Sequence, residues 1–268
     1  MLSYHKEKSD YMINSVEKAL NILTELSNNE NDPITVKKIS EKLGINRSTC
    51  SHIVKTLEEN GFAERISHHD GYVLGPEAYF LSRLGKYAEN TIAICRPVLK
   101  WLYKKSRHPV ILATIKNDKK FIIDTYDNEN KIFKKPQNIR YDDIYRTATG
   151  RAILAGMNRD EVYSIFQKYG VPQKNMWEEV TSYETLLNEL SKIGKKDVVM
   201  TVHAVEETDI LSIGYGCAVY KKSVCVGAVG IALSMTKDKY AAFKEEEKHI
   251  TTLLQKAVAE ITRRMNYS

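Results

Sequence analysis

The sequence predicts an α+β chain, with a winged helix-turn-helix near the N-terminus and a larger domain of mixed helices and strands after it. Two observations carry this prediction. In the first part of the chain, three stretches with apolar residues at helical spacing are followed by a pair of β-prone runs. In the second part, strand-like runs have helical stretches before, between and after them, which is typical of an α+β sheet domain.

The helix-turn-helix prediction rests on two helices separated by a glycine turn. The first is preceded by Thr35, which can cap a helix N-terminus, and it ends at Gly44, where a left-handed backbone is common. The second helix follows Asn46, another capping residue type. Its apolar residues recur at helical spacing and predict a buried stripe: Cys50, Ile53, Val54 and Leu57.

A β-hairpin is predicted directly after these helices. Two β-prone runs flank the pair Asp70-Gly71, and this dipeptide between such runs is a strong hairpin signal. A further helix follows and joins the two parts of the chain. We therefore predict a DNA-binding winged helix over residues 12–75, a linker helix over 76–90 and a second domain over 91–268.

The second domain is predicted to contain strands, several helices and a long last helix. Pro97 lies inside its first helical pattern, where a kink or break is expected. The last pattern predicts one long helix over Tyr240–Met265. The predicted strands are Val110–Ile115, Lys120–Tyr126, Val198–Val202, Ile213–Tyr220 and Val224–Ala232.

Charge points to nucleic acid only locally. The whole chain has a net charge of +6, yet residues 1–75 carry nine Lys or Arg against eleven Asp or Glu. Within residues 36–55, however, five Lys or Arg side chains stand against one glutamate. A surface that faces phosphates needs such a local excess.

The outward face of the second helix of the pair fits contact with DNA. Its side chains are short and polar or basic, and an arginine can bond to guanine through two donors. An alternative is that these side chains are simply solvated, and another is that the winged helix binds a partner protein. The predicted DNA-binding residues are Lys38, Arg47, Ser48, Thr49, Ser51, His52, Lys55 and His68.

Several motifs together resemble the IclR family of transcription regulators. These are "SVEKALNIL", "ITVKKISEKLGINRSTCSHIVKTLEENGFAER" and "GYVLGP" in the first part, and "TATGRAILAG" with the segment from Val205 to Ala232 in the second. The resemblance implies a winged helix joined by a helix to a GAF-like α/β effector domain. It implies a regulator, which we expect to be a repressor, that binds operator DNA as a homodimer or dimer of dimers and responds to a small molecule.

The same resemblance implies an effector pocket on one face of the sheet, beside the "TATG" helix. The N-terminus of that helix suits a carboxylate or another anion, although Thr147 or Thr149 can instead simply cap it. Relatives that bind small oxo-acids have polar groups where this chain has Gly230 and Ala232, which predicts a roomier and less polar pocket. The implied effector positions are Ala148, Thr149, Gly150, Ser212, Gly214, Gly230 and Ala232.

Other classes of protein are disfavoured by what the sequence lacks. Cys217 or Cys225 with His203 is the one nucleophile–base pair worth considering, and the apolar neighbours of Cys225 indicate a buried thiol. There is no phosphate-binding or dinucleotide fingerprint, and no Cys/His cluster with zinc spacing. We therefore expect no enzyme activity, cofactor or metal. With neither a signal peptide nor a spanning segment, we expect a cytoplasmic location.

Overall fold

The computed structural model describes residues 12–28, 32–67, 71–84, 88–127 and 143–267. These residues pack as two compact units, which divide between residues 84 and 88.

The N-terminal unit contains helices and a two-stranded antiparallel hairpin. Its elements are α1 (Asn14–Ser27), α2 (Val36–Leu43), α3 (Arg47–Glu59), β1 (Ala63–Ser67), β2 (Gly71–Leu74) and α4 (Pro76–Leu84). An isolated bridge between Ile34 and Tyr72 ties the segment before α2 to the hairpin. The helices pack on one small core of Ile22, Leu26, Ile39, Cys50, Val54 and their neighbours.

Local sequence explains the tight connection between α2 and α3. The Thr35 hydroxyl accepts the Lys38 N–H at 3.3 Å, and the Asn46 carboxamide oxygen accepts the Ser48 N–H at 2.9 Å, so both helices begin at capped positions. Gly44 ends α2 with a φ of 63°, a left-handed conformation that glycine adopts without penalty. The prediction of capped helices around a glycine turn is confirmed.

The C-terminal unit is a five-stranded antiparallel sheet covered by helices. The strand order is β4-β3-β7-β6-β5. Its strands are β3 (Val110–Lys116), β4 (Lys119–Tyr126), β5 (Val199–Ala204), β6 (Ile210–Lys221) and β7 (Val224–Thr236). Its helices are α5 (Glu89–Ser106), α6 (Asp143–Arg146), α7 (Ala148–Gly156), α8 (Arg159–Tyr169), α9 (Tyr183–Ser191), α10 (Lys237–Ala241) and α11 (Lys244–Tyr267).

The two faces of this sheet have different coverings. Inward-facing residues of β6 and β7 such as Tyr215 and Ile231 belong to one core with α5 and α11. On the opposite face, α7 packs on the same two strands, with Ala148, Ala152 and Ile153 against Ala218 and Ala228. Helices α8 and α9 extend the α7 side with a second core that contains Trp177. This α7 side carries the effector positions implied by the family resemblance.

Two features of the predicted elements need correction. The long helix predicted over Tyr240–Met265 is two helices, because the chain turns at Ala242 and Phe243, whose N–H groups bond to Lys239 and Tyr240. That turn lets Phe243 enter the core at 7% exposure. Helix α8 was not predicted, although its Asn158–Glu161 capping box is a readable signal.

Candidate DNA-binding surface and effector site

Helix α3 presents one polar face to solvent and buries the opposite one. Cys50 and Val54 are fully buried in the core of the N-terminal unit, as predicted. Arg47, Ser48, Ser51, His52 and Lys55 are exposed, and their spacing places them on one side of the helix. Thr49, also predicted to bind DNA, is half-buried at the edge of that side. The major groove of B-DNA is wide enough to admit an α-helix with such a face.

The positive charge around α2 and α3 is partly compensated. Lys42 pairs with Glu25 of α1 at 2.5 Å, and Lys55 lies 3.9 Å from Glu59, one turn along α3. Among the described residues, Lys37, Lys38 and Arg47 have no such carboxylate partner. These three exposed side chains are therefore available for phosphates or bases, and so is Lys55, whose side chain is 71% exposed and only loosely paired.

The hairpin has the position of a wing beside α3. Arg65 on β1 lies over the ring of Tyr72 at 5.4 Å from its centroid, and the Tyr72 hydroxyl donates to Glu58 of α3 at 3.3 Å. The first contact lies within the hairpin, and the second joins the hairpin to the second half of α3. The predicted DNA contact His68 lies outside the described residues.

The implied effector positions lie where α7 meets the sheet. Ala148, Thr149, Gly150 and Gly230 are buried, Gly214 and Ala232 are half-buried, and Ser212 is exposed. A Cβ on Gly230 would lie 2.4 Å from Cγ2 of Thr149. The prediction of a roomier pocket at Gly230 is therefore wrong, because the α7 side chain fills the space that glycine leaves.

The N-terminus of α7 is already capped from within the protein. The Thr147 hydroxyl accepts the Gly150 N–H at 3.2 Å and also accepts a hydrogen bond from Nζ of Lys120 at 2.7 Å. Lys120 is almost fully buried, at 6% exposure. The cap by Thr147, one of the two alternatives for this helix start, is therefore present.

A cavity of about 530 Å³ lies beside these positions, at the edge strand β5. It is bounded by Arg146, by Arg151 of α7, by residues 174–179 and by β5. By strand register, Thr201 and His203 of β5 lie opposite Gly214 and Ser212 of β6. The cavity therefore adjoins the implied effector positions, although none of them is among its lining residues.

Arg151 is the central polar residue of the cavity wall. Its Nε donates to the Tyr145 carbonyl at 2.8 Å, a terminal nitrogen donates to the Met176 carbonyl, and its guanidinium stacks on Trp177 at 4.0 Å. Burial lowers the pKa of this guanidinium to about 10, an effect that Glu179 and Glu189 partly oppose. The charge is thus held in a poorly solvated place.

His203 connects β5 to the start of α7. Its Nε2 lies 2.7 Å from the carbonyl oxygen of Arg146 and so donates to it. Burial lowers the pKa of this imidazole, and hydrogen bonds to the backbone of Arg146 and Asn175 oppose the shift. Sequence reasoning considered His203, but it missed Arg146, Arg151 and Trp177. An arginine within the otherwise apolar α7 was a readable signal.

The two cysteines considered as nucleophiles are in an environment that favours the thiol. Burial raises the pKa of Cys217 to about 12 and that of Cys225 to about 11. Neither is a thiolate at neutral pH, and the thiolate is the reactive form. Among the described residues, no cluster of His, Cys, Asp or Glu could hold a metal ion, and no helix is long and apolar enough to span a bilayer.

Comparison with known proteins finds a matching family for each of the two units. Residues 87–263 match the family of bacterial transcriptional regulator IclR C-terminal domains, and residues 17–64 match a winged helix-turn-helix DNA-binding family. The HTH-type transcriptional regulator KdgR of Escherichia coli is 23% identical over 265 residues, covering 97% of this chain and 96% of KdgR.

Solved structures share the fold. An IclR transcriptional regulator from Alicyclobacillus acidocaldarius aligns with a TM-score of 0.68 and 17% identity, over 95% of this chain and all of that one. An IclR homolog from Microbacterium hydrocarbonoxydans, complexed with 4-hydroxybenzoate, aligns with a TM-score of 0.65 and 15% identity, over 95% and 100%. The family match covers more than half of the chain, which therefore belongs to the IclR family of DNA-binding transcriptional regulators with a ligand-binding C-terminal domain.

Proposed function

We propose that this protein binds operator DNA through the exposed face of α3, and that a small molecule bound in the C-terminal domain controls that binding. The observation that carries the proposal is the arrangement of α3, where a capped helix presents Arg47, Ser48, Ser51 and His52 outward from a fully packed core. Side chains early in such a helix lie nearest the base edges. Thr49 at the edge of this face, and His68, which follows β1 in the sequence, belong to the same proposed contact set.

Lys38 and Lys55 are proposed to contact phosphates rather than bases. Lys55→Ala should weaken binding to all sequences about equally and make the slope of log K against log salt shallower by about 1. Fluorescence anisotropy with labelled operator, measured at several salt concentrations, checks this. The matched control is Lys192→Ala, which removes an equally exposed lysine with an acidic partner in the C-terminal unit. An unchanged salt slope in Lys55→Ala would remove Lys55 from the interface.

The mode of control is proposed to be repression, with the effector releasing the protein from its operator. Such a regulator acts where the chromosome is, so we place it in the cytoplasm. The alternative of a winged helix that binds a partner protein is disfavoured by the DNA-binding family match and by the polar face of α3. We assign no catalytic residues, because desolvation raises the pKa of both candidate thiols and keeps them protonated.

A homodimer, or a dimer of dimers, is proposed as the binding form, since a two-fold protein matches two half-sites. Exposed apolar side chains in the N-terminal unit support this. Ile13, Val16 and Leu20 are 66%, 52% and 58% exposed at helical spacing along the start of α1, and Phe80 of α4 is 63% exposed. Large exposed apolar side chains that recur along one helix, as in α1, mark association surfaces.

Leu20→Glu should shift the protein toward the monomer and reduce operator affinity, because a charge would be buried at the dimer contact. Sedimentation velocity reports the mass, and operator titration reports the affinity. Asn21→Glu places the same charge on the neighbouring exposed position of α1 and serves as the control. If Leu20→Glu sediments as the wild type does, then this face of α1 is not the dimer contact.

The effector is proposed to bind on the α7 side of the sheet. The positions implied by the family resemblance stay part of this proposal: Ala148, Thr149, Gly150, Ser212, Gly214, Gly230 and Ala232. Because α7 packs tightly on the strands, we propose that a ligand reaches these positions from the part of β6 and β7 where Ser212 is exposed and Ala232 is half-buried. The cavity beside β5 lies next to this part of the sheet, because its lining residues Thr201 and His203 pair with Gly214 and Ser212 of β6.

A further inference from the structure

A groove separates the exposed sides of α5 and α11, on the face of the sheet opposite α7. Both helices pack on the core under that face. Nε2 of His108, just after α5, lies 3.3 Å from a carboxylate oxygen of Glu246 in the first turn of α11, so the end of one helix meets the start of the other. The two helices therefore run antiparallel, and the space between them has a volume of about 340 Å³.

The groove has an apolar base and a tryptophan in its wall. Val98 and Ala257 line it and are buried, and Trp101 of α5 stands beside them with 37% of its surface exposed. Pro97, one turn before Trp101, is exposed next to it. Tryptophan is enriched among the few residues that contribute most of the binding energy at protein interfaces. Trp101 is therefore a candidate anchor point for a partner.

Lysines surround this apolar centre. Lys256 of α11 lines the groove, and Lys104 and Lys105 follow Trp101 by three and four residues, which places them one turn further along α5. All three lysines are exposed, and within the described residues none of them has an ion-pair partner. Their charges are therefore available to a partner.

The one carboxylate among the lining residues is already neutralised. Glu260 accepts hydrogen bonds from Nε of Arg263 at 2.8 Å and from Nε of Arg264 at 2.7 Å. Two arginines thus stand against one glutamate, and this end of the groove is positive as well. A surface with an apolar centre and a cationic rim is complementary to an acidic segment that carries an apolar side chain.

Two other occupants fit this surface less well. A second copy related by two-fold symmetry would bring Lys104, Lys105 and Lys256 against their own equivalents, and like charges facing each other across an interface are unfavourable. A DNA duplex would leave Trp101 and the apolar base without an apolar contact, and it would bring phosphates toward Glu260.

We propose that the groove between α5 and α11 is a docking site for an acidic, amphipathic segment of another protein. An apolar side chain of that segment packs on Trp101, and its carboxylates pair with Lys104, Lys105 and Lys256. Apolar side chains of a helical segment set into a hydrophobic groove are a recurring mode of peptide recognition. The surface lies on the opposite face of the sheet from the proposed effector site, so this inference is independent of effector control.

Selection from displayed peptides tests the chemistry of the partner directly. The whole chain is immobilised and exposed to a library of random peptides of about twelve residues, which is roughly three helical turns. We expect the enriched peptides to carry several Asp or Glu residues, with large apolar residues at helical spacing on one side. The most enriched peptide is then synthesised with a fluorescent label, and its Kd for each variant is measured by anisotropy.

Trp101→Ala should bind this peptide about tenfold or more weakly, because it removes the anchor. The double variant Lys104→Glu with Lys105→Glu should bind about threefold to tenfold more weakly, with an affinity that depends less on salt. Lys100→Glu is the matched control and should bind as the wild type does. Helical spacing places Lys100 on the side of Arg96, whose guanidinium bonds to β4, and therefore away from the groove.

The inference is wrong if the enriched peptides are not acidic, or if both groove variants bind the selected peptide as tightly as the wild type. It is also wrong if either variant changes the sedimenting mass, since the groove would then join copies of this chain. Weaker binding of a non-operator duplex by the double lysine variant, with no peptide enriched, would assign the surface to nucleic acid instead. Circular dichroism shows whether each variant is folded; if Trp101→Ala is not, the exposed lysine variant decides alone.

Discussion

Arg47→Ala should weaken operator binding by about 1–3 kcal/mol and relax sequence preference at one position in each half-site, while leaving the fold intact. Arg47 opens α3 and is exposed, and within the described residues it has no acidic partner. Its removal therefore takes away a base contact without breaking a structural one. The capping of α3 by Asn46 is untouched, so the helix should remain.

The measurement is a competition titration in which labelled operator is displaced by variants mutated at one base pair at a time. Arg159→Ala, an exposed arginine on α8, is the matched control and should compete as the wild type does. If Arg47→Ala keeps the wild-type affinity and the same ranking of operator variants, the assignment of α3 as the reading helix is wrong. A lower melting temperature would instead show that Arg47 supports the fold.

The N-terminal unit could be predicted closely because its signals are local. The caps act locally, since Thr35 and Asn46 bond to N–H groups three and two residues further on, and Gly44 ends α2 by its own backbone conformation. The burial of Cys50 and Val54 follows from helical spacing. The family resemblance added the identity of the second domain. Residue-level DNA contacts remain predictions.

The cavity could not be predicted, because its wall comes from segments far apart in sequence. Arg151 bonds to the carbonyl of Met176, twenty-five residues away, and His203 bonds to Arg146 over fifty-seven residues. No local pattern encodes such contacts. The break before α11 could not be predicted for a different reason. The apolar Phe243 fits the helical spacing of its neighbours, so the sequence pattern continues across the turn that buries its side chain in the core.

Gly216→Ala should destabilise the C-terminal unit by about 1–3 kcal/mol, the usual cost of forcing extra volume into a packed core. A Cβ at this position would lie 2.4 Å from the carbonyl carbon of Ala148 and 2.5 Å from the backbone nitrogen of Thr149. These are backbone atoms at the start of α7, so the helix itself would have to move off the sheet. Each kcal/mol corresponds to a melting temperature lowered by roughly 2–4 °C in a domain of this size.

Gly214→Ala is the control, because Gly214 lies two residues earlier on the same face of β6. Its Cβ would lie 3.0 Å from the Thr201 hydroxyl and 3.5 Å from the Ala148 side chain, which can adjust. We expect a clearly smaller loss of stability, measured by urea denaturation of both variants. Equal stability of Gly216→Ala and wild type would mean that α7 is not seated on the sheet as described.

The central claim is that this protein reads DNA sequence through α3, and one selection experiment tests it most directly. Purified protein is mixed with fragments of its own genome at about 50 and 200 mM salt, and the bound fragments are sequenced. The account predicts enrichment of a two-fold symmetric sequence, retained by Arg159→Ala and lost by Arg47→Ala. Enrichment of no sequence at either salt concentration, or the same enrichment with Arg47→Ala, would contradict it.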